Sequence, residues 1–320
     1  MTEHSIHWET QGTSRVPFAV YTDEDLHKKE LEHFFYKSHW SYVGLEAEVP
    51  NAGDFKRSVV GERSVIMTRS EDGQIHVVEN VCAHRGMQFC RERHGNKKEF
   101  VCPYHQWTYG LDGALIAARS MAEDFDKKEH GLAPVALENV GGLIFICMDD
   151  NPPPIDRVKA DIVDQIAVYE LERCKVAVQD NYIEDANWKL VMENNRECYH
   201  CDAGHPELIS VLGTYGFGKG LPEDGEADVV DDSAFDAMVD AKRDQWKAMG
   251  IFRDLIEFPD GWWHRVARLP LANGAVTQSI DGKLASKKLI GPFSEPETSS
   301  LSVWTQPNSW HHFCCDHVVT

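Results

Sequence analysis

Two short stretches of the chain each pair a cysteine with a histidine. Cys82 and His84 are separated by one residue, Cys102 and His105 by two, and seventeen residues lie between the pairs. Two thiolates and two imidazoles suit a [2Fe–2S] cluster in which the cysteines hold one iron and the histidines the other. The same ligands also satisfy tetrahedral zinc. Structural zinc sites mostly pair like with like, as C-x2-4-C and H-x3-5-H, so the spacing favours the mixed-ligand cluster.

The order Cys-x-His and then Cys-x-x-His, with CPYHQWTYGLDG around the second pair, resembles the cluster-binding loops of the Rieske family. Respiratory-chain Rieske proteins carry an extra cysteine in each loop, and these two form a disulfide. Met87 and Tyr104 stand at those positions here. The resemblance therefore implies the lower-potential cluster of Rieske oxygenases, bound by the two Cys-His pairs.

A second candidate metal site lies in the sequence NNRECYHCDAGHPEL. His200 and His205 are five residues apart with a loop-forming Ala-Gly between them, so both imidazoles can reach one metal ion. With one carboxylate they would form the facial triad of non-haem Fe(II) oxygenases, which leaves positions open for O2 and substrate. An isolated histidine pair is more often structural, but its place downstream of a Rieske motif favours iron. Glu197, three residues before His200, would share its helical face and is a possible direct ligand.

From about Asp23 onward, the chain resembles the large subunit of Rieske non-haem iron oxygenases. In that family an acid at the position of Glu197 links the Rieske histidine of a neighbouring subunit to an iron-ligating histidine by hydrogen bonds. The resemblance implies that His105 of one subunit meets Glu197 of the next, in a ring of at least three subunits. We therefore expect a homotrimer, with Glu197 as the catalytic bridge.

The third iron ligand is predicted less directly. In the family it is an aspartate in a late helix that follows the strands. This sequence stops within a strand-like run, so we expect that ligand beyond residue 320, in a longer form of the chain. Asp316, in a strand pattern, and Asp202, in the short loop between the histidines, are weaker candidates.

The segments ANWKLVMENNRECYHCDAGHPEL and PNSWHHFCCDH most resemble the branch of the family that acts on quaternary amines, such as glycine betaine monooxygenase and proline betaine (stachydrine) demethylase. The resemblance implies O2-dependent hydroxylation of an N-methyl group, followed by N-demethylation and release of formaldehyde. An aromatic-ring hydroxylating oxygenase is the alternative. A Rieske electron carrier without oxygen chemistry is less favoured, because it leaves the second histidine pair unexplained.

A quaternary ammonium group cannot donate a hydrogen bond, so aromatic faces are expected to bind it. Each aromatic residue of the catalytic half is more often core packing than part of a substrate cage. The candidates are Tyr215, Phe217, Trp263, Trp310 and Phe313, with Trp262 beside them.

The fold class predicted from the pattern of elements is α+β, with two domains in 320 residues. Short β-type runs separated by turn pairs such as Asp72-Gly73 predict an all-β Rieske domain over 41–152, closed by a strand at 141–148. Residues 1–40 are expected to form a helical segment that packs with the catalytic domain. Residues 155–320 are expected to form a mononuclear iron domain with helices on an antiparallel sheet, of the helix-grip type.

Composition excludes several functions. A formal charge of −20 argues against nucleic acid as a partner. There is no run of about eighteen apolar residues to span a membrane, and the polar, acidic N-terminus does not resemble a signal peptide. We therefore expect a cytoplasmic protein, whose nine cysteines are reduced.

The electrons must come from another polypeptide. The only phosphate-loop candidate, GFGKG at 216–220, lacks the third glycine and follows no predicted strand. The resemblance implies an NAD(P)H-dependent flavin and iron–sulfur reductase. Between residues 85 and 98, five Arg and Lys stand against one Glu, and such a basic surface would steer an acidic reductase towards the cluster.

Overall fold

The structure, a computed structural model, describes Ile6, Trp8 and residues 15–196, 200–212, 233–257 and 263–320. The strands are β1 (Ser41–Leu45), β2 (Asp54–Val60), β3 (Arg63–Arg69), β4 (Ile75–Glu79), β5 (His94–Asn96), β6 (Phe100–Val101), β7 (Thr108–Tyr109), β8 (Leu115–Ala117), β9 (Ala136–Val140), β10 (Leu143–Cys147), β11 (Ile256–Glu257), β12 (His264–Pro270), β13 (Ser299–Thr305), β14 (Ser309–Phe313) and β15 (Val318–Val319). The α-helices are α1 (Ala19–Thr22), α2 (Glu24–Glu30), α3 (Asp156–Ile166), α4 (Trp188–Arg196), α5 (Cys201–Gly204), α6 (Pro206–Val211) and α7 (Ser233–Ala248). An antiparallel all-β region thus precedes a region of mixed helices and strands, which confirms the predicted α+β class. Of the helices in these ranges, none has both the length and the apolar character that crossing a bilayer requires.

The N-terminal helices pack against α4. Asp23 caps α2, because its carboxylate accepts the N–H of Leu26 at 2.7 Å. The chain continues as a π-helical turn over Leu31–Tyr36, where Phe35 meets Trp188 edge to face at 5.2 Å. The N-terminal segment therefore contacts the helix that leads to the second histidine pair.

Two small antiparallel sheets carry the two Cys-His loops. One has the strand order β4-β3-β2-β5 and the other β6-β7-β8. The first loop follows β4, and the second joins β6 to β7. Successive side chains of a strand point to opposite faces, so Ile66 and Met67 of β3 enter two different cores. Ile66 shares its core with Cys82 and Cys102, and this core is the floor beneath both loops.

A larger core joins the all-β region to the catalytic region. The three-stranded sheet β1-β10-β9, the five-stranded sheet β11-β12-β13-β14-β15 and α3 all contribute to this core. Phe145 of β10, Ile162 of α3, and Val303 and Phe313 of the larger sheet are all fully buried in this core. Burial of each such side chain contributes about 1.5–3 kcal/mol, so the two regions are held together by a continuous apolar contact.

The end of α6 is fixed to the edge of the five-stranded sheet. Leu212 forms an antiparallel bridge with Leu271, directly after β12, and the N–H of Ala272 donates to the carbonyl of Val211 at 2.9 Å. Val211, Leu271 and Ala275 form a small separate core at this point. The histidine-bearing segment therefore leads onto the catalytic sheet.

Candidate functional site: an iron–sulfur centre and a histidine pair

The two Cys-His loops have the same backbone closure. In each loop, the N–H of the cysteine donates to the carbonyl of the residue five positions later. The N–H of the residue four positions later, called the fourth residue, donates back to the carbonyl of the cysteine, and all these distances are 2.8 to 2.9 Å. The fourth residue is Gly86 in the first loop and Gln106 in the second, with φ of 70° and 60°. This left-handed conformation suits glycine and strains a residue such as Gln106, so the second loop is held in shape by its hydrogen bonds.

The four predicted ligands separate into a buried pair and an outer pair. Cys82 and Cys102 are 2% and 1% exposed and lie in the same core, where burial and the neighbouring Cys82 thiol raise the pKa of Cys102. His84 is half-buried and His105 exposed, and their ring centroids lie 4.6 Å apart. The cysteines thus lie together in the floor, and the histidines lie together at the surface.

This arrangement fits a [2Fe–2S] cluster. The Nδ1 atom of His84 is buried and has no hydrogen-bond partner, so its lone pair is available to a metal. Both cysteines are free. Within the described ranges, no three His, Cys, Asp or Glu side chains are grouped so as to hold one ion. Separate cysteine and histidine pairs are what two irons require.

Two aromatic residues that the sequence reasoning did not single out support the ligands. The hydroxyl of Tyr109 lies 3.2 Å from the sulfur of Cys82 and accepts the N–H of Ala83 at 3.1 Å, so its own proton can be donated to the sulfur. Burial and the neighbouring Cys82 thiol raise the pKa of Tyr109, so it stays protonated. The indole of Trp107 stacks on His84 at 4.8 Å with 9° between the planes. Both residues belong to CPYHQWTYG, the motif that carries the resemblance.

A surface cavity of about 610 Å³ opens beside the two loops. Its wall combines apolar and charged side chains, with two basic residues and one acidic: Met87, Phe89, Arg91, Glu92, Lys97, Val101, Pro103 and Tyr104. Lys97 is paired with Glu92 at 2.8 Å, whereas Arg91 and the adjacent Arg93 are exposed. The predicted basic surface therefore borders the loop of His105.

The second histidine pair comes from one helical turn. The N–H of Gly204 donates to the carbonyl of His200 at 2.7 Å, and the N–H of His205 donates to that of Cys201 at 2.8 Å. This turn brings the two imidazoles to a centroid separation of 5.2 Å at 81°. In the described part of the chain no third His, Cys, Asp or Glu joins them. Cys201 is disulfide-bonded, so the prediction that all cysteines are reduced is wrong at this residue.

The carboxylates proposed near this pair have different positions. Glu197 lies outside the described residues, as does the side chain of Asp202. Asp316 is 3% exposed, and its carboxylate accepts hydrogen bonds from Thr277 at 2.6 Å and from the N–H of Ala285 at 2.7 Å. These bonds and that to His317 outweigh burial and lower the pKa of Asp316. Its contacts are those of a residue that fixes the local chain.

A buried ion pair positions the helix that precedes the histidines. The ammonium of Lys189 lies 2.6 and 2.7 Å from the two carboxylate oxygens of Glu30, which also accepts the indole N–H of Trp188 at 3.0 Å. Glu30 belongs to α2, and the other two residues open α4. A second contact joins α1 to α4, where the hydroxyl of Tyr21 donates to the carboxylate of Glu193 at 2.9 Å.

The predicted substrate aromatics fall into three groups. Tyr215, Phe217 and Trp262 lie outside the described residues. Trp263 and Phe313 belong to the core between the two regions. Trp310 lies on the opposite face of the sheet.

Comparison with known proteins identifies both regions of the chain. Residues 39–138 match the family described as Rieske [2Fe-2S] domain, and residues 171–320 match the ring hydroxylating alpha subunit (catalytic domain). The chain is 39% identical over 312 residues to the glycine betaine monooxygenase oxygenase subunit of Chromohalobacter salexigens, covering 97% of this chain and 68% of that protein. It is 48% identical over 208 residues to the large oxygenase component of salicylate 5-hydroxylase of a Ralstonia species, covering 60% of this chain and 49% of that protein.

Among solved structures, the quaternary ammonium Rieske monooxygenase CntA with a bound inhibitor superimposes with a TM-score of 0.63 at 22% identity. The match covers 93% of this chain and 68% of that one, and it establishes a shared fold. The predictions of family, enzyme class and cofactors are confirmed. This chain belongs to the Rieske non-haem iron oxygenases, as an oxygenase α subunit that uses a Rieske [2Fe–2S] cluster, a mononuclear iron and O2.

Proposed function

We propose that this chain is the oxygenase component of a two-component monooxygenase that hydroxylates an N-methyl group of a small quaternary amine of the glycine betaine type. The hydroxylated product would break down to the demethylated amine and formaldehyde. The observation that carries this proposal is the 39% identity to a glycine betaine monooxygenase oxygenase subunit over nearly the whole chain. The histidine pair following the cluster loops supports it, because an electron carrier has no use for a second metal site.

The cluster ligands in this proposal are Cys82, His84, Cys102 and His105. The outer position of His105 suits electron transfer out of the domain, because its imidazole is exposed and the cysteines are covered. We assign Glu197 as the acid that receives His105 of a neighbouring subunit, in a homotrimer. The domain limits proposed for this arrangement are 1–40, 41–152 and 155–320.

His200 and His205 would hold the mononuclear iron, with a carboxylate as third ligand. When bound, that iron with O2 supplies the oxidant for an unactivated C–H bond. The protein must place the N-methyl group near the histidine pair and keep other oxidisable groups away. The ion pair of Glu30 with Lys189 serves this placement, since it fixes the start of the helix that precedes both histidines.

The electron donor would be an NAD(P)H-dependent flavin and iron–sulfur reductase in the cytoplasm. Its docking surface is proposed to be the basic edge of the cluster loops, where Arg91 and Arg93 are exposed and the ring of Tyr104 contacts that of His105 with centroids 3.8 Å apart. An acidic partner would be steered to this edge, because the rest of the chain carries a strong negative charge.

Hydroxylation of an aromatic ring is the second candidate. The 48% identity over 208 residues to a salicylate 5-hydroxylase component favours it. That match covers 60% of this chain, whereas the betaine enzyme matches 97%.

One experiment separates the two candidates. The iron-loaded oxygenase is combined with NADH, O2 and a reductase that reduces its cluster, and offered glycine betaine, proline betaine or salicylate in parallel. We expect formaldehyde and demethylated amine in equal amounts from a betaine, and no hydroxylated product from salicylate. Hydroxylated salicylate without formaldehyde from any betaine would establish the aromatic alternative.

A further inference from the structure

The five-stranded sheet presents two unlike faces. Directly paired residues of antiparallel strands lie on the same face. Val266, Val303 and His311 are paired across β12, β13 and β14, and this face enters the shared core. The opposite face, here called the polar face, consists of Arg265, Ala267, Leu269, Ser300, Ser302, Trp304, Trp310 and His312.

The middle of the polar face is covered although it carries two hydroxyl groups. Ala267, Ser300 and Ser302 are 3%, 1% and 3% exposed. These small side chains lie in the middle of the face, and the rings of Trp310 and His312 lie beside them on β14. Sites for small ligands combine aromatic side chains with a few placed polar groups, and this face carries both.

The hydrogen bonds of His312 fix which nitrogen carries its proton. Nδ1 lies 3.3 Å from the amide nitrogen of Gln278 and 3.4 Å from the hydroxyl of Ser300. An amide nitrogen only donates, so Nδ1 accepts and the proton is on Nε2. Burial, and secondarily His317, lowers the pKa of His312 to about 4, so the ring is neutral near pH 7. Its Nε2–H is buried and has no partner among the described residues.

An unpaired buried donor is costly, by about 1–3 kcal/mol. Such a group is expected where a ligand completes the hydrogen bond. Nε2–H is the kind of group that recognises a carboxylate, since N–H donors to an ionised acceptor form stronger bonds than neutral pairs do.

The rings beside His312 supply the other half of a zwitterion site. Trp310 lies 4.2 Å from His312, and Trp304 lies 5.4 Å from Trp310 at 69°. The indole N–H of Trp310 is already bonded to Ser302 at 2.9 Å, so what it offers a ligand is its π surface. Indole is the best of the aromatic side chains at attracting a cation.

The polar face is also tied to the histidine segment. Leu271, which pairs with Leu212 at the end of that segment, opens the connection that carries Gln278. Gln278, which contacts His312, and Leu271, which pairs with Leu212, thus belong to the same connection between β12 and β13.

We propose that His312 donates its Nε2–H to the carboxylate of the betaine, while Trp310 receives the trimethylammonium group. This inference rests on the proposed function and assigns the substrate-recognising residues of that site. In glycine betaine one methylene separates the two charges, which places nitrogen and carboxylate oxygen roughly 3 Å apart. Adjacent rings 4.2 Å apart suit such a short zwitterion better than a betaine with a longer spacer.

The test measures binding, without turnover. Isothermal titration calorimetry under argon compares iron-loaded wild type, His312→Phe and His312→Gln with two ligands, glycine betaine and tetramethylammonium. His312→Phe is expected to weaken glycine betaine about 10- to 100-fold and to leave tetramethylammonium unchanged, since only the former has a carboxylate. His312→Gln keeps an N–H donor near the same place and should recover most of the affinity. Trp310→Ala should weaken both ligands.

Each other outcome decides the matter. Equal affinity of wild type and His312→Phe for glycine betaine overturns the assignment and leaves the proposed function standing. Equal loss of both ligands in His312→Phe overturns it too, since the ring would then only support Trp310. A wild type that binds neither ligand overturns the assignment as well, and the formaldehyde assay with proline betaine then decides the proposed function.

Discussion

The two proposed metal sites are built in different ways. The cluster loops are two copies of one closed turn, each fixed by two backbone hydrogen bonds and set into a common apolar floor. The second site draws His200 and His205 from a single turn whose orientation depends on α4 before it and on the sheet edge after it. The cluster is therefore a local structure, and the iron site depends on contacts distant in sequence.

The largest expected effect tests whether the two sites are independent. Cys102→Ser should abolish the electron paramagnetic resonance signal of the reduced cluster and all reductase-coupled turnover, because a thiolate ligand is lost. His205→Ala should abolish turnover equally while the cluster signal keeps its intensity. Metal analysis and spectroscopy of both variants provide the measurement. Loss of the cluster signal in His205→Ala would contradict independent folding of the two sites.

The second prediction concerns the remote support of the histidine pair. Glu30→Gln leaves the ammonium of Lys189 largely buried without its counter-charge, and breaking such a pair costs about 3–5 kcal/mol. Denaturant unfolding should show this loss, and turnover should fall while the cluster signal of the folded protein persists. Lys28→Ala is the control, since its pair with Asp25 is exposed and contributes under about 1 kcal/mol. A Glu30→Gln protein as stable as wild type would show that α2 does not hold α4.

The third prediction concerns how electrons reach the cluster. Reversing Arg91 and Arg93 to Glu should slow reductase-coupled turnover about tenfold at low salt, and the difference should shrink as salt screens the charges. The control is the double variant Lys287→Glu with Lys288→Glu, which changes the net charge by the same amount as the arginine reversals. Both lysines are exposed and precede β13. Equal slowing by both double variants would indicate a general charge effect and not a docking surface.

The sequence predicted the elements near each motif well, for physical reasons. The Cys-His pairs and the strand predicted at 141–148, which is β10 (Leu143–Cys147) in the structure, depend on local patterns that a sequence displays directly. The segment 174–186 is a counter-example, because its alternating residues predict a strand and the structure has none there. Val178 and Ile183 are 77% and 95% exposed. A strand requires a partner strand, and composition alone does not provide one.

Tertiary contacts account for what the sequence reasoning did not find. The pairing of Glu30 with Lys189 spans 159 positions, so no local pattern could reveal it. Among the aromatic candidates, Phe313 faces the shared core and Trp310 faces away from it. The periodicity of the sequence did not distinguish these two positions, whereas the strand register does. Tyr109 was overlooked for a similar reason, since its role depends on how close its hydroxyl comes to a sulfur 27 positions earlier.

Tyr109 gives the smallest predicted effect and the finest test of the cluster as a local structure. A hydrogen bond to a ligand sulfur favours the reduced cluster, which carries more negative charge. Tyr109→Phe should therefore lower the reduction potential, by about 20–60 mV if the bond differs by about 0.5–1.5 kcal/mol between the two states. Redox titration followed by circular dichroism measures it. The control is Tyr104→Phe, which should leave the potential unchanged. It keeps the ring against His105. The hydroxyl that it removes has no bond to the cluster sulfurs in the described structure. An equal shift in both variants would mean that general polarity, and not the bond to Cys82, sets the potential.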